Sequence, residues 1–339
     1  MSRRRMLTAA AAALLAARTA RLAVRAMPTG LLLAGAGAAR AQAFPARGVK
    51  IIVPQTPGGA SDTLARIVGQ RLAEPWKQPV VIENRPGAGG NIGMEAVARS
   101  PADGLTLLMS YVGTHAINGS LYRNLPFDPE RDFAAVATIA TVPFVMAVNA
   151  KSGPRSVSEL TSQARARRMT FGSAGNGSVN HLLGEMFNAA AGVRIDHVPY
   201  RGAAPALNDL IGGQIDVVFT SLPSVAGFIA NGTIRPLAVT SPKRSPAFRD
   251  IPTIAESGIA GFEVTPWFGL FAPAGTPAAV VRQINADVAE ALRTPEVAEK
   301  VAKAGADAYL IAPEEFAALL KADIAKWAKV VRESGAKLD

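Results

Sequence analysis

Residues 51–72, IIVPQTPGGASDTLARIVGQRL, contain the pattern that decides the fold of this chain. The apolar run Ile51–Val53 is typical of a buried strand, and four large apolar residues between positions 64 and 72 recur at helical spacing. Gly58 and Gly59 interrupt both patterns, and Ser61 and Asp62 are the residues that we expect to cap the helix. The stretch therefore predicts a strand, a glycine turn and a helix in succession.

Such a turn directs several backbone N–H groups of the helix N-terminus towards one point. The first amides of a helix have no partner within it, and the helix dipole favours negative charge there, so the arrangement can bind an anion. A simpler interpretation stays open, in which the glycines only provide the positive φ that a strand-to-helix turn needs. The same pattern recurs at Met169–Phe171, the turn Gly172–Ser178 and the helical stripe that starts at Val179. The repetition favours two anion-binding turns that face one cleft.

These two turns, which we call the first loop (residues 54–62) and the second loop (residues 172–178), contain no lysine or arginine. A di- or triphosphate site normally includes a lysine, and the GxxxxGK[ST] pattern is absent from the sequence. A carboxylate spreads one charge over two oxygens and can be held by neutral amides and hydroxyls. We therefore expect a small anionic ligand that is held mainly by the backbone.

The composition indicates a globular protein of two domains. The chain has 339 residues, of which 49% are hydrophobic and 18% are charged. It contains no cysteine, which excludes a disulfide framework, a thiolate nucleophile and a cysteine metal site. Of the formal net charge of +10, seven charges come from arginines within residues 1–42, which contain no acidic residue. The remaining +3 is dispersed among basic and acidic residues, so we expect no nucleic-acid partner.

Residues 1–43 are predicted to be a signal peptide. Arg3–Arg5 form a basic start with a twin-arginine pattern, an alanine- and leucine-rich run follows, and Ala41–Ala43 provide the small residues that a signal peptidase needs. Three arginines interrupt the apolar run, so no uncharged span approaches the roughly 20 residues of a membrane anchor. We expect export to the periplasm by the Tat or the Sec route, and Met27 stays open as an alternative start.

The chain after residue 43 alternates short apolar strands with amphipathic helices, which predicts an α/β fold with parallel sheets. The predicted strands are 51–53, 80–82, 105–110, 133–140, 144–148, 169–171, 215–219 and 237–239, and the predicted helices after the second loop include 203–211, 277–293 and 313–334. Residues 111–115 are expected to be a loop. No glycine- or serine-rich linker separates two domains, so they would have to be joined by crossing strands, which we place at 143–151 and 263–271.

An enzyme is the alternative that the residues leave open. It would be a periplasmic hydrolase in which His181 acts with Ser178 or Ser173, although His181 also fits a role in capping its own loop. His197 lies in a strand-like run and is expected to be structural. The sequence contains no GxSxG elbow and no HExxH or paired-histidine pattern, and the glycines of Gly87–Gly93 do not match GxGxxG. We therefore expect no catalytic activity, no cofactor and no bound metal.

Five phrases together resemble one family. They are Ile52–Asp62 (IVPQTPGGASD), Glu83–Gly93 (ENRPGAGGNIG), Gly175–His181 (GNGSVNH), Val198–Gly202 (VPYRG) and Gly212–Asp216 (GGQID). In this order they look like the substrate-binding proteins of tripartite tricarboxylate transporters, also called Bug receptors, and the resemblance covers essentially all of residues 44–339. One departure is Gln55, which stands where the family often has an aromatic residue after Val-Pro. An amide there can hydrogen-bond a polar ligand.

The resemblance implies a two-lobed periplasmic-binding-protein fold of the type II-like, Venus flytrap kind, with two mixed sheets joined by crossing strands. We expect lobe 1 to comprise residues 44–145 and 265–339 and lobe 2 to comprise residues 146–264. Such proteins bind a small carboxylate between the lobes and deliver it to membrane transporter subunits or to a sensor protein. We expect these partner contacts to be transient and the protein itself to be a monomer.

By position, the resemblance also implies a set of ligand-binding residues. The first loop would contribute one side, the second loop the other, and weaker candidates, which include His115 and Trp267, would meet the far end of the ligand. The predicted set is Gln55, Thr56, Gly58, Gly59, Ser61, Asp62, Tyr111, Thr114, Ser173, Asn176, Gly177, Ser178, His181, Tyr200, Asp216 and Ser221.

Overall fold

Strands and helices alternate along residues 44–336, the part of the chain that the structure, a computed structural model, describes. The predicted signal peptide, residues 1–43, lies outside the described residues. In chain order the elements are β1 (Val49–Val53), α1 (Ala60–Trp76), β2 (Val80–Asn84), α2 (Asn91–Ala98), β3 (Thr106–Tyr111), α3 (Asn118–Leu121), β4 (Phe133–Thr141), β5 (Phe144–Asn149), α4 (Val157–Ala166), β6 (Thr170–Ser173), α5 (Val179–Ala191), β7 (Asp196–Pro199), α6 (Ala203–Ile211), β8 (Val217–Ser221), α7 (Leu222–Ala230), β9 (Ile234–Val239), β10 (Trp267–Pro273), α8 (Ala278–Arg293), α9 (Pro295–Lys303), β11 (Asp307–Ala308) and α10 (Pro313–Ser334).

The strands form two mixed sheets. The first has six strands in the order β11-β4-β10-β3-β1-β2, and the second has five in the order β7-β6-β8-β5-β9. β1 runs parallel to β2 and β3, and β6 runs parallel to β7 and β8. β10 is antiparallel to both of its neighbours, and so is β5. The predicted α/β architecture with two mixed sheets is confirmed.

β5 and β10 are each antiparallel to both of their neighbours, and each follows a passage of the chain from one sheet to the other. Only Val142 and Pro143 separate β4 of the first sheet from β5 of the second. The chain returns through residues 240–266, which lie between β9 and β10. The Val142 N–H donates to Pro266 O at 3.0 Å, so the two passages are bonded to each other. Because β5 begins at Phe144 and β10 at Trp267, both start within the segments predicted to cross.

Alternation of side chains along β1 connects two hydrophobic cores. Ile51 and Val53 pack on one face of the first sheet with Leu64 of α1 and Ile284 of α8. Ile52 belongs to the opposite face, in a core that continues to α2, α10, α5 and strands of the second sheet. Since side chains alternate across a strand, three successive apolar residues are buried on both sides. A third core lies between the second sheet and helices α6 and α7.

One element differs from the prediction. Residues 111–115, expected to be a loop, end β3 and enter a π-helical turn at Gly113–Ile117 that continues into α3. Every residue of this turn is buried. The predicted lobe boundary at 145/146 falls inside β5, and α10 packs against β4 and also against α5, so the lobe limits stay a prediction. Within residues 44–336, no helix combines the length and apolar character that crossing a membrane requires.

Candidate functional site

The first loop joins the carboxyl end of β1 to α1, and its tip is exposed. Residues 56–60 are exposed, whereas Ser61 and Asp62 are each only 4% exposed. α1 begins at Ala60 with Gly59 at its N-cap, so the prediction that Ser61 or Asp62 caps the helix is wrong. Gly59 already has the extended conformation of an N-cap residue, with φ −79° and ψ 173°, and the helix starts before either side chain is reached.

Asp62 stabilises the first loop from within the first turn of α1. Its Oδ2 accepts hydrogen bonds from the Gly58 N–H at 2.9 Å and from Arg66 Nε at 3.0 Å. Arg66 Nη2 also lies 2.9 Å from Asp62 Oδ1, in an ion pair between residues four apart on the helix. The hydrogen bond from Arg66 lowers the pKa of the Asp62 carboxyl, against the opposing effect of its burial. Asp62 is therefore an ionised residue that is engaged inside its own loop.

The amides available to an anion are those that follow Gly58. The N–H groups of Ala60, Ser61 and Asp62 come first in α1, where the helix itself supplies no acceptor. The dipole of this 17-residue helix places partial positive charge at the same point. A carboxylate can therefore be held here by backbone N–H groups, while the Gly58 amide is already bound by Asp62.

Gln55 and Thr114 meet at the base of the first loop. Gln55 Nε2 donates to Thr114 Oγ1 at 2.9 Å, and Asn84 Nδ2 donates to the backbone carbonyl of Gln55 at 3.1 Å. Gln55 Oε1 is buried and has no hydrogen-bond partner among residues 44–336. Gln55 Oε1 is thus an unused hydrogen-bond acceptor at the base of the first loop.

The second loop joins β6 to α5 and is held by two serine hydroxyls. Ser178 is the N-cap of α5, as predicted: its Oγ accepts from the His181 N–H at 3.2 Å and donates to Gly175 O at 2.7 Å. Ser173 Oγ accepts from the Gly175 N–H at 3.0 Å. Asn176 is exposed at the tip. These bonds leave the exposed Asn176 side chain, together with the N–H groups of Val179 and Asn180, which come first in α5 where the helix itself supplies no acceptor.

The second loop also contacts helix α3, which follows strand β3 of the first sheet. A Cβ added at Gly177 would lie 2.6 Å from a methyl carbon of Leu121 on α3, so the loop packs closely against that helix. α3 itself follows β3, whose last residue is Tyr111. The two loops are therefore connected through the residues after β3.

His181 and His197 lie face to face beneath the second loop, with ring centroids 3.8 Å apart. His181 Nδ1 accepts from the Gly177 N–H at 3.1 Å, and His197 Nε2 lies 2.6 Å from Ser173 Oγ. Burial lowers the pKa of His197 to about 4, and the nearby His181 adds to the effect. His197 is therefore neutral at pH 7 and hydrogen-bonded to the loop.

This arrangement gives no support to the hydrolase alternative. His181 uses Nδ1 for the Gly177 amide, and its Nε2 lies 3.7 Å from Glu185 Oε1. Within the described chain, neither ring nitrogen of His181 bonds to Ser178 or Ser173. Ser173 does contact a histidine, but that histidine is His197, and Ser173 is only 1% exposed. Its hydroxyl is therefore closed to a substrate.

A cavity of 440 Å³ lies between the two sheets and brings four of the predicted residues together. Gly58 and Gly59 of the first loop line it together with Tyr111 at the end of β3, and Ser221 at the end of β8 lines it from the second sheet. None of the described residues that line it is charged. Its volume falls within the range of about 300–1,000 Å³ that small-molecule sites occupy. A ligand in this cavity would touch both sheets.

Asp216 is not brought to this group. It precedes β8, and its Oδ2 accepts from the Thr170 N–H at 2.8 Å while Oδ1 lies 2.7 Å from Arg167 Nη2. β6 and β8 are parallel, and their carboxyl ends carry Ser173 and Ser221. Asp216 therefore lies at the opposite edge of the second sheet, where it fixes the start of β6.

Three further candidates are engaged elsewhere. Tyr200 Oη donates to Asp209 Oδ2 at 2.6 Å, and its burial together with that carboxylate raises the pKa of Tyr200 to about 12. His115 is fully buried, with Nε2 2.8 Å from Pro129 O. Trp267 Nε1 donates to a carboxylate of α10 at 2.7 Å. Each of these side chains is bonded within the fold, and none of the three lines the cavity.

Sequence reasoning did not find Arg66, Leu121 or the aromatic walls of the cavity, and it predicted a structural role for His197 without finding its contact with Ser173. Arg66 had a usable signal, because an acidic residue followed four positions later by arginine forms an ion pair on a helix. His197 had none, because its contact with Ser173 depends on the pairing of β6 with β7.

Comparison with known proteins agrees with this architecture. The profile of the family described as "Tripartite tricarboxylate transporter family receptor" matches residues 64–336. Protein BugT of Bordetella pertussis is 38% identical over 315 residues, which cover 91% of this chain and 97% of BugT. A structure of an R. palustris protein solved with adipate is 41% identical, covers 87% of this chain and 100% of its own, and superposes with a TM-score of 0.76.

A further solved relative is MatC from Rhodopseudomonas palustris, whose structure contains bound malate. It is 33% identical, covers 85% of this chain and 100% of its own, and has a TM-score of 0.72. The family match spans residues 64–336 and the two solved relatives cover 85% and 87% of this chain, and together they confirm the resemblance found in the sequence. This chain belongs to the receptor family of the tripartite tricarboxylate transporters, whose TctC and Bug members are periplasmic solute-binding proteins.

Proposed function

We propose that this chain is a periplasmic receptor that captures a small carboxylate between its two sheets. The observation that carries the proposal is the 440 Å³ cavity, which Gly58 and Gly59 line from one side and Ser221 from the other. The adipate and malate held by two solved relatives are both carboxylates, which supports the same ligand class here. The protein itself performs no chemistry on the ligand in this proposal.

Neutral donors hold the carboxylate in the proposed site. The first amides of α1 supply N–H groups next to Gly59, and the helix dipole adds to their attraction. The second loop, none of whose described residues lines the cavity, would add the Asn176 side chain and the first amides of α5 when the lobes close on the ligand. Ser173, Ser178 and His181 act indirectly, since their hydrogen bonds shape that loop. Asp216 and Tyr200 are left out of the proposed site because they are engaged elsewhere.

Ligand capture would proceed by closure of two lobes, residues 44–145 with 265–339 and residues 146–264. The chain passes between the sheets at Val142–Pro143 and again before Trp267, which makes these passages the hinge. A ligand that contacts both sheets favours the closed state over the open one, because it gains contacts only there. The closed form would then be recognised by membrane transporter subunits or by a sensor protein.

Calorimetry tests the proposal. The chain from Phe44 is denatured and refolded to remove any carried ligand, then titrated with mono-, di- and tricarboxylates, amino acids and aromatic acids. We expect saturable binding of at least one carboxylate at one site per chain, with every titrant recovered unchanged. Absence of binding by every titrant in the panel would overturn the proposed receptor function. Formation of a product from a titrant would support the enzyme alternative instead.

A second experiment separates transport from signalling. Deletion of the gene would abolish uptake of the radiolabelled ligand if the receptor serves a transporter. Uptake that persists, together with loss of a transcriptional response to the same ligand, would assign the receptor to a sensor instead.

A further inference from the structure

The wall of the cavity between the sheets is apolar along most of its length. Leu64 of α1 and Phe268 of β10 line it from the first sheet, and Phe144 of β5 lines it from the second. The other apolar residues of the lining are Ala60, Val142, Pro223, Pro266, Ala304 and Ala306. A ligand body that displaces water from these surfaces is stabilised by the hydrophobic effect in proportion to the apolar area it buries.

Three of the four hydroxyl groups among the described lining residues already take part in a hydrogen bond. Ser221 Oγ and Ser224 Oγ form a hydrogen bond of 2.5 Å. Tyr111 is bonded to Thr114, and its ring is stacked on Phe268 with centroids 5.6 Å apart. The remaining hydroxyl, that of Thr63 on α1, lies four residues from Gly59, at the end where the carboxylate is expected. A hydroxyl group on the ligand body therefore finds few polar partners beside the apolar wall, and the Ser221 and Ser224 hydroxyls already share a hydrogen bond for which it must compete.

The absence of charged side chains from the described lining also favours a hydrocarbon ligand body. No lysine, arginine, histidine or acidic residue is among the described residues that line the cavity. A second charged group on the ligand body would lose its hydration there without gaining a counterion, which is strongly unfavourable. One carboxylate, at the end lined by Gly58 and Gly59, is what this surface accommodates.

We propose that the ligand is a carboxylate on an unsubstituted hydrocarbon body, an aliphatic chain or an aromatic ring, in preference to hydroxy acids, amino acids and tricarboxylates. This inference rests on the proposed function and narrows its ligand class. Selection arises from the apolar wall and the engaged hydroxyls, while the carboxylate provides the common anchor.

Matched acids test the ligand class by calorimetry on the refolded chain from Phe44. The probes are butanoate, 3-hydroxybutanoate, hexanoate, benzoate and malate. We expect the added hydroxyl of 3-hydroxybutanoate to weaken binding about tenfold relative to butanoate. Each methylene between butanoate and hexanoate should raise affinity about fourfold, and benzoate should bind more tightly than malate. Tighter binding of the hydroxylated acids would overturn the ligand class and leave the carboxylate receptor intact. Absence of binding by all five acids would overturn the ligand class, whereas the carboxylate receptor itself is overturned only if the amino acids and tricarboxylates of the full panel also fail to bind.

A pair of variants tests whether this cavity is the site of selection. Ser224 is exposed on α7 and lines the cavity, so Ser224→Phe fills it without disturbing a core. Ser158 is an exposed serine in the first turn of α4, away from the cavity, and Ser158→Phe is the matched control. We expect Ser224→Phe to weaken hexanoate and benzoate binding at least tenfold and the control to bind as the wild type does. Equal affinities in the two variants would overturn the assignment of the ligand body to this cavity.

Discussion

Ser173 Oγ on β6 lies 2.6 Å from His197 Nε2 on β7, and the His197 ring stacks on His181. His181 in turn accepts the N–H of Gly177. The two imidazoles therefore connect the start of the second loop with its end. A loop of glycines and small residues has little stiffness of its own, because such residues have many accessible conformations. The stacked pair supplies the constraint that sequence composition does not.

Replacing His197 should loosen the second loop. His197→Phe retains an aromatic ring for stacking but removes one of the hydrogen-bond partners of the buried Ser173 hydroxyl, which keeps its bonds to Gly175. We expect a loss of about 1–2 kcal/mol in the free energy of unfolding, measured with urea, because a buried polar group is left with one bond fewer. Ligand affinity should fall as well, by about tenfold if the whole loss acts on the loop that meets the ligand. Unchanged stability together with unchanged affinity would mean that the pair does not hold the loop.

The same pair predicts a dependence of stability on pH. Burial lowers the pKa of His197 to about 4, from an ordinary value of 6.5, and Glu185 opposes this shift. Between these values the unfolded chain binds a proton at this position that the folded chain does not, so stability falls as pH falls from 6.5 towards 4. For this partly exposed ring we expect a loss of about 1–2 kcal/mol, with allowance for solvent screening.

His115 acts in the same direction, since burial lowers its pKa to about 3, and the wild-type slope contains both contributions. Urea unfolding at several pH values should therefore give a flatter profile for His197→Phe than for the wild type, with a remaining slope from His115. Parallel profiles for the two proteins would show that His197 titrates normally in the folded chain.

Asp62 allows a separate test of the first loop. Asp62→Ala removes the acceptor of the Gly58 N–H and the partner of Arg66, so the turn before α1 loses its internal bonds. We expect a loss of about 1 kcal/mol in stability and a weaker affinity for the carboxylate, measured by urea unfolding and calorimetry. Arg66→Ala is the control, because it keeps the Gly58 bond and removes an ion pair whose arginine is 53% exposed, worth about 0.5 kcal/mol, together with an exposed hydrogen bond to Asn84. Equal ligand affinities in Asp62→Ala and the wild type would show that Asp62 does not contribute to ligand binding.

The loops and the sheets were predictable because their signals are local. Apolar runs such as Ile51–Val53 and the hydroxyl of Ser178 before a helical stripe determine a strand and a cap within a few residues. Asp216 was predicted to bind the ligand, but it does not line the cavity, and its position before its strand argues against that role because ligands of parallel sheets bind at the carboxyl ends. The contact of Ser173 with His197 was beyond reach, because it depends on which strands become neighbours and in which register.

A close contact between the two halves of the molecule gives the last prediction. Gly305, in the turn between α9 and β11, adopts a φ of +71°, and a Cβ added there would lie 2.2 Å from Pro223 Cγ on α7. β11 belongs to the first sheet, and α7 follows β8 of the second, so Gly305→Ala should oppose closure. Gly232 provides a matched control, because it has a φ of +72° and open space around the position of an added Cβ.

Both alanine variants should lose about 1 kcal/mol of stability from the left-handed backbone conformation, and Gly305→Ala should lose more because its methyl group meets the Pro223 ring. Only Gly305→Ala should also lose ligand affinity, by about tenfold, because its methyl group disfavours the state in which the ligand touches both sheets. Thermal unfolding with and without ligand, together with calorimetry, separates the two effects. If both variants bind as the wild type does, the Gly305–Pro223 contact is not part of the liganded state, and closure must be governed by the passages at Val142–Pro143 and before Trp267 alone.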